Sequence, residues 1–334
     1  MTKMYSIKTT AGTSFQSAEN ITLLAAAEKS GNHLPYSCRT GRCSSCKCKV
    51  LSGSSIATSE ELGLTESEKN EGWILSCVRF TTSDMVLEVE DLGGVSLPTP
   101  KTIPCRIQEL NRLAADVMQV RLRLPPAAEY PYLPGQYIDV IGPAGIRRSY
   151  SLANAHASDK HLELHIRAVP GGAMSEYWFQ QARVNDLLRL NGPLGTFFLR
   201  KITGLDLVFL ATGTGIAPIK SILEGMSALP ADQQARSVTV YWGARKPEEL
   251  YCDVAAFSGL AQYVPVLSQA DETWAGARGY VQQQLLKDTP DLSQAVVYAC
   301  GSDAMIQSAK VLLQSAGLPA HRFHSDAFVC SASV

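Results

Sequence analysis

The longest apolar runs in this 334-residue sequence, such as Leu205–Ala211, are far too short to cross a bilayer, which argues against a helical membrane span. Neither sign of charge dominates: 30 Lys and Arg stand against 31 Asp and Glu, with no charged tail, so nothing points to nucleic acid. The opening residues, M-T-K-M-Y-S-I-K-T-T, alternate polar and apolar and lack a signal peptide's apolar core. No internal repeat or low-complexity segment stands out. What remains is an ordinary globular composition, 46% apolar, with room for two or three domains and an expected cytoplasmic location.

Cysteine, by contrast, is plentiful. The count of nine is odd, which fits a reducing compartment better than a disulfide framework. Residues 36–48 read Y-S-C-R-T-G-R-C-S-S-C-K-C, placing Cys38, Cys43 and Cys46 at C-x4-C-x2-C, and Cys77 follows in I-L-S-C-V. This is the plant-type 2Fe-2S spacing, in which four thiolates hold two irons. A loop with three ligands must wrap one side of a cluster. The small residues Gly41, Ser44 and Ser45 let backbone N–H groups turn inward to hydrogen-bond its sulfurs. Arg39 and Arg42 add positive charge nearby. Structural zinc also takes four cysteines, but usually from paired C-x2-C units, and here only Cys43 and Cys46 form one. Disulfides would need an oxidising compartment. Cys48 is the alternative ligand; in the strand pattern C-K-C-K-V it packs as a small apolar residue.

Around this loop, residues 1–92 read as one small α+β unit. A hairpin is expected from Met4–Thr10 and Thr13–Ser17, a helix over Thr22–Lys29, and a strand over Cys46–Leu51. A short acidic helix over Glu66–Glu71, a strand containing Cys77 and a last strand through Met85, Leu87 and Val89 complete it. The arrangement resembles the ferredoxin β-grasp domain, and C-R-T-G-R-C-S-S-C is similar to plant ferredoxin loops. Residues 93–104, G-G-V-S-L-P-T-P-K-T-I-P, are rich in glycine and proline and read as a linker.

Residues 105–200 are strand-rich with turns at short intervals, as in an antiparallel β-barrel, and a helix is expected over Ala173–Arg183. Two motifs exceed what folding needs. Arg148-Ser149-Tyr150-Ser151 places a cation beside an aromatic and a hydroxyl. Gly171-Gly172-Ala173-Met174-Ser175 opens a helix, whose free N–H groups suit a pyrophosphate. Residues 201–334 alternate strand and helix, as in an α/β parallel sheet. The buried-strand candidate Leu205–Ala211 runs into Thr212-Gly213-Thr214-Gly215-Ile216-Ala217-Pro218, and Tyr298-Ala299-Cys300-Gly301-Ser302 ends a later strand.

In this order the motifs resemble the ferredoxin–NADP reductase superfamily. That resemblance implies an FAD barrel in which Arg148 meets a flavin phosphate and Tyr150 and Ser151 meet the isoalloxazine. Gly172, Ala173, Met174 and Ser175 would hold the pyrophosphate, with His165 and Arg167 in the adjoining strand. It further implies a nicotinamide domain in which Thr212, Gly213, Thr214, Gly215 and Pro218 take the second pyrophosphate, Cys300 and Gly301 border the nicotinamide, and Phe328 or Phe323 covers a flavin face. Tyr150, Ser151 and Cys300 are then the catalytic candidates. Arg245 and Lys246 leave NADPH open, with Glu248 and Glu249 close by; NADH is the expectation, being common among relatives with this domain order.

The resemblance implies an NAD(P)H-dependent oxidoreductase that loads FAD with two electrons and releases them singly through the 2Fe-2S cluster to a partner protein. Stretches such as R-S-Y-S-L-A-N, G-P-L-G-T-F-F-L-R and H-S-D-A-F are similar to the CDP-6-deoxy-Δ3,4-glucoseen reductase family of 3,6-dideoxyhexose biosynthesis. The recipient would then be a pyridoxamine-phosphate-dependent dehydrase. Reductase components of bacterial oxygenases are the alternative.

Overall fold

Inward-facing Tyr5, Ile7 and Thr9 alternate with outward Met4 and Lys8, and this period-two pattern makes Met4–Thr9 a half-buried strand, β1. In a computed structural model describing residues 3–90, 92, 94–155, 159–253, 257 and 259–328, the chain divides into two compact units. Met1–Leu97 group with Ser325–Val329, and Pro98–His324 form the second unit.

In the first unit, β1 pairs antiparallel with β2 (Ser14–Ala18) and parallel with a strand that closes the unit. Thr22 caps helix α1 (Leu23–Lys29) by accepting from the Ala25 N–H; Leu23, Leu24, Ala26 and Ala27 turn into the core. The cysteine loop leads into β3 (Lys47–Ser52) and β4 (Ser55–Ala57). Helix α2 (Glu66–Asn70) starts with a capping box between Thr65 and Glu68, and is followed by β5 (Trp73–Leu75), β6 (Arg79–Thr81) and β7 (Met85–Glu88). The main sheet runs β2-β1-β7-β3-β5, with β4 and β6 paired apart from it. Cys77 was expected in a strand; it lies instead in a 3-10 turn, Ser76–Val78, between β5 and β6. The turn breaks the strand's alternation, so consecutive Ser76, Cys77 and Val78 are all buried.

The second unit begins with β8 (Lys101–Ala114), which starts inside the stretch composed like a linker. Residues 101–105 pair only with a strand on one side, because pairing on the other side begins at Arg106. Pro104 therefore sits where a missing N–H costs no ladder bond. Gly93, the linker's first expected residue, lies outside the described residues. Strands β9 (Val117–Arg123), β10 (Tyr137–Ile141), β11 (Arg147–Ser151), β12 (His161–Arg167) and β13 (Leu187–Leu194) complete an antiparallel sheet ordered β11-β10-β13-β8-β9-β12. A bridge from Leu152 to Leu164 ties its two ends into a barrel. The expected helix over Ala173–Arg183 is shorter: α3 (Ala173–Glu176) widens into a π-type turn over Tyr177–Gln181 that buries Tyr177 and Trp178.

The parallel sheet follows. Its strands β14 (Asp206–Thr212), β15 (Ser237–Ala244), β16 (Gln262–Leu267), β17 (Ala277–Arg278) and β18 (Ala295–Ser302) are ordered β17-β16-β15-β14-β18, flanked by α4 (Ile216–Met226), α5 (Val281–Asp288) and α6 (Asp303–Ser315). The last strand, β19 (Phe323–Phe328), starts beside β18, where His324 stacks on Tyr298 at 4.7 Å. β14 lies between β15, reached through α4, and β18, so strand order reverses there. In such sheets the ligand crevice opens at the carboxyl end of the reversal point.

One face of α4 locks the barrel to this sheet. Lys220 Nζ donates to the Ala153 carbonyl (2.9 Å) and Ser221 Oγ to the Asn154 carbonyl (2.7 Å), while Glu224 accepts from the Ala155 N–H (2.9 Å). Lys220 also pairs with Glu224 at 2.5 Å and Glu163 at 3.4 Å. Burial alone would raise the Glu163 carboxyl, but His165 and Lys220 together bring it from 4.5 to about 2. Its folded pKa is depressed, so its contribution is present above about pH 4.5 and fades as pH falls toward 2. Lys220→Met is expected to cost about 1–3 kcal/mol of stability at pH 7, since it removes one of the partners of the buried Glu163 carboxylate. The acid-unfolding midpoint should move upward in the same variant, and circular dichroism at several pH values checks both.

Candidate functional site

The cysteine loop turns on Arg39 (φ 58°) and Gly41 (φ 74°), which lets its N–H groups face sulfur rather than solvent. Thr40 N and Cys43 N each donate to Cys38 Sγ at 3.4 Å, and Cys38 N donates to Cys43 Sγ at 3.5 Å. On the other side Cys46 Sγ and Cys77 Sγ are 3.2 Å apart. The four sulfurs thus fall into two pairs, Cys38 with Cys43 and Cys46 with Cys77, which fits two irons taking two thiolates each. The Cys43 thiol, then the Thr40 side chain and the Thr40 and Cys43 amides, draw Cys38 down to about 5 against the opposing effect of burial. Cys48 behaves differently: fully enclosed in the core, it is pushed up to about 12 by burial and then by the Glu61 charge. It is a packed thiol.

Three further contacts brace this loop. A Cβ on Gly63 would meet the Cys43 carbonyl at 2.4 Å, so only glycine lets the covering segment approach. Buried Glu61 accepts from the Leu75 N–H (2.7 Å) and pairs with Arg79 (2.5 Å), tying that segment to the turn that carries Cys77. Ser37 and Ser45 bond to Asp326 and to the Ser325 carbonyl (3.1 Å). Sequence spacing reaches none of these, since the partners are remote in the chain.

In the barrel, β10 and β11 pair Ile138 with Tyr150 and Tyr137 with Ser151. Tyr150 stands edge-on to Trp178, whose Nε1 donates to the Tyr150 hydroxyl at 3.0 Å, fixing the ring. Trp178 was not anticipated; nothing in the motif calls for a tryptophan in the next helix. Arg148 is exposed and donates to the Arg147 carbonyl. Ser151 is buried. Gly172 caps α3 and Ser175 Oγ accepts from Val169 N at 2.9 Å, closing the turn, while Met174 is buried next to Gly142. His165 is committed inward, its Nε2 on Glu163 (3.0 Å) and its Nδ1 on the Tyr251 hydroxyl (3.3 Å).

The crevice at the end of β14 is built from glycines. A Cβ on Gly215 would meet the Cys300 carbonyl at 2.2 Å, and one on Gly301 would meet Thr212 Oγ1 at 2.2 Å. Their absence lets the Thr212–Gly215 turn and Cys300–Gly301 close on each other, with Ser302 N bonded to Thr212 Oγ1 (3.1 Å). Gly213 is at φ 55°, and its carbonyl accepts from Trp242 Nε1 at 3.0 Å. Pro218 sits in the first turn of α4. Arg167 pairs with Asp116 at 3.3 Å and lies against Gly213, so this barrel residue faces the Thr212–Gly215 turn. Cys300 is fully buried on β18. Arg245 pairs with Glu249 at 2.8 Å. Phe323 belongs to the second unit and Phe328 to the first, each half-buried.

Gly215→Ala is expected to cost about 1–3 kcal/mol through overpacking against a backbone carbonyl. It should also raise KM for the reduced nicotinamide nucleotide while leaving the bound-flavin spectrum intact; steady-state kinetics and a visible spectrum check the split.

Comparison with known proteins agrees with this geometry. Residues 8–82 match the 2Fe-2S iron-sulfur cluster binding domain, 104–199 the oxidoreductase FAD-binding domain and 209–311 the oxidoreductase NAD-binding domain. The chain is 43% identical to CDP-6-deoxy-L-threo-D-glycero-4-hexulose-3-dehydrase reductase of Yersinia pestis, covering 96% of this chain and 97% of that protein. It is 31% identical to terephthalate 1,2-dioxygenase, reductase component 1, of Comamonas, covering 95% of each. Among solved structures, the Amycolatopsis cytochrome P450 reductase GcoB aligns over 98% of this chain and 100% of its own, with TM-score 0.75 and 29% identity. No helix among the described residues is long and apolar enough to cross a membrane. The chain belongs to the family of NAD(P)H-dependent reductases that join a 2Fe-2S domain to FAD- and NAD-binding domains, the family of the hexulose-dehydrase reductases.

Proposed function

We propose that this chain carries electrons from NADH through FAD and a 2Fe-2S cluster to a separate pyridoxamine-phosphate-dependent dehydrase, the CDP-6-deoxy-Δ3,4-glucoseen reductase activity. The observation that carries the reading is the three-cysteine loop with Cys77 in one chain with a flavin-type barrel and a dinucleotide crevice, at 43% identity to a dehydrase reductase over 96% of this chain. When bound, the three groups supply hydride acceptance and one-electron delivery. The protein's task is then to hold and orient them.

In this reading Cys38 and Cys43 hold one iron and Cys46 and Cys77 the other, with the inward amides offsetting charge on sulfur. Arg148 balances a flavin phosphate, and Gly172, Ala173, Met174 and Ser175 border the flavin pyrophosphate. Tyr150 lies along the isoalloxazine, held by Trp178, and Ser151 bonds its edge. Thr212, Gly213, Thr214, Gly215 and Pro218 receive the second pyrophosphate, with Arg167 as its cation. Cys300 and Gly301 border the nicotinamide. Binding both dinucleotides side by side supplies the proximity that hydride transfer needs.

NADH is favoured over NADPH because Glu249 already occupies Arg245 at 2.8 Å, and its carboxylate would oppose a 2′-phosphate. The location is proposed to be the cytoplasm, since none of the eight cysteines among the described residues is in a disulfide. The runner-up recipient is an oxygenase component, a role named for the 31% identical Comamonas relative. Mixing the pure protein with each acceptor separates the two.

Cys43→Ser is expected to keep NADH-to-ferricyanide activity and to lose electron delivery to a one-electron protein acceptor; normal delivery would overturn the assigned route. Glu249→Gln should release Arg245 and lower KM for NADPH relative to NADH by about fivefold, the equivalent of about 1 kcal/mol. Paired kinetics with both nucleotides measure it.

A further inference from the structure

Asp326 is a buried carboxylate, 4% exposed, for which neither the flavin nor the nicotinamide reading has a use. It comes from the last strand, whose residues from Ser325 on group with the first unit. Its Oδ1 accepts from Ser37 Oγ, and the preceding residue's carbonyl, Ser325 O, accepts from Ser45 Oγ at 3.1 Å. Ser37 immediately precedes Cys38, and Ser45 immediately precedes Cys46. One dipeptide near the carboxyl end therefore grips the cysteine loop just ahead of one sulfur from each pair. Burial raises Asp326 to about 6, offset in part by the Ser37 hydrogen bond, and the Cys38 charge pushes the same way as burial. At pH 8 the group is thus an anion within electrostatic reach of Cys38.

We infer that Asp326 is a positioning and tuning residue for the amino-terminal cluster: through Ser37 it sets the cysteine loop, and its fixed negative charge holds the cluster's reduction potential down. The inference rests on the ligand assignment proposed above. The physical argument is short. Reduction adds an electron to a centre that is already anionic, and a nearby carboxylate in a dry interior opposes that addition with little screening. The Ser37 hydroxyl partly offsets the carboxylate, so its removal leaves more of the negative charge uncompensated. The two side chains therefore act on the potential with opposite sign. A purely structural strap would not produce that opposition.

The test uses the full chain purified without air, with iron content and visible spectrum measured first. Absence of iron in the unmodified protein would defeat the ligand assignment itself, separately from this inference. Asp326→Asn keeps the shape and an acceptor for Ser37 but removes the charge. Redox titration at pH 8 followed by electron paramagnetic resonance is expected to give an upward shift of its midpoint potential at unchanged iron content. Ser37→Ala, titrated alongside the unmodified protein at pH 9 so that Asp326 stays ionised without its donor, should shift the midpoint downward. Potentials unchanged in both variants, or shifted in the same direction, would overturn the inference. If Asp326→Asn loses its iron, Ser37→Ala decides alone: a downward shift supports the assignment, and no shift or an upward one overturns it.

Discussion

Backbone N–H groups aimed at cysteine sulfur are the interaction on which the rest of the molecule's purpose depends. Thiolates in a protein interior are costly, and four of them around one centre repel one another. The loop meets that cost by turning at Arg39 and Gly41, so that the amides of Thr40 and Cys43 reach Cys38 Sγ at 3.4 Å. Gly63 and the Glu61–Arg79 pair then press the loop and the Cys77 turn together. A looser loop would leave sulfurs without donors.

The same economy of backbone governs the crevice in the second unit. Glycines at 215 and 301 remove side chains where two strand ends must nearly touch. What fills the remaining space is chosen for direction: Trp242 fixes the Gly213 carbonyl, and Arg167 brings a cation from the barrel to the Thr212–Gly215 turn. The barrel and the parallel sheet meet through α4, where Lys220, Ser221 and Glu224 satisfy three consecutive residues of the loop at 153–155. That polar seam fixes the barrel against the parallel sheet.

Much of this was legible in the chain because its signals are local. C-x4-C-x2-C sits within one loop, so its spacing exposes it, whereas the Thr212–Pro218 turn is weak by itself and stands out only through the family resemblance. The buried strands around Leu205–Ala211 and Ala295–Cys300 were equally plain from their continuous apolar runs. The departures have physical causes. Cys77 lies in a 3-10 turn that interrupts the strand, and with the alternation broken Ser76, Cys77 and Val78 are buried in succession. Pro104 lies in a strand because that end of β8 is paired on one side only. Long-range partnerships were out of reach: Ser37 with Asp326, Tyr150 with Trp178 and Arg167 with Gly213 join residues far apart in sequence. Arg245 was visible as a basic residue, but only the 2.8 Å pair with Glu249 tells how its charge is used.

The most direct test of the central claim is an anaerobic titration of the purified protein with NADH, followed in parallel by visible absorption and electron paramagnetic resonance. The account predicts loss of flavin absorbance together with the signal of a reduced 2Fe-2S centre. Zinc in place of iron, or a bleached flavin with no iron–sulfur signal, would contradict it.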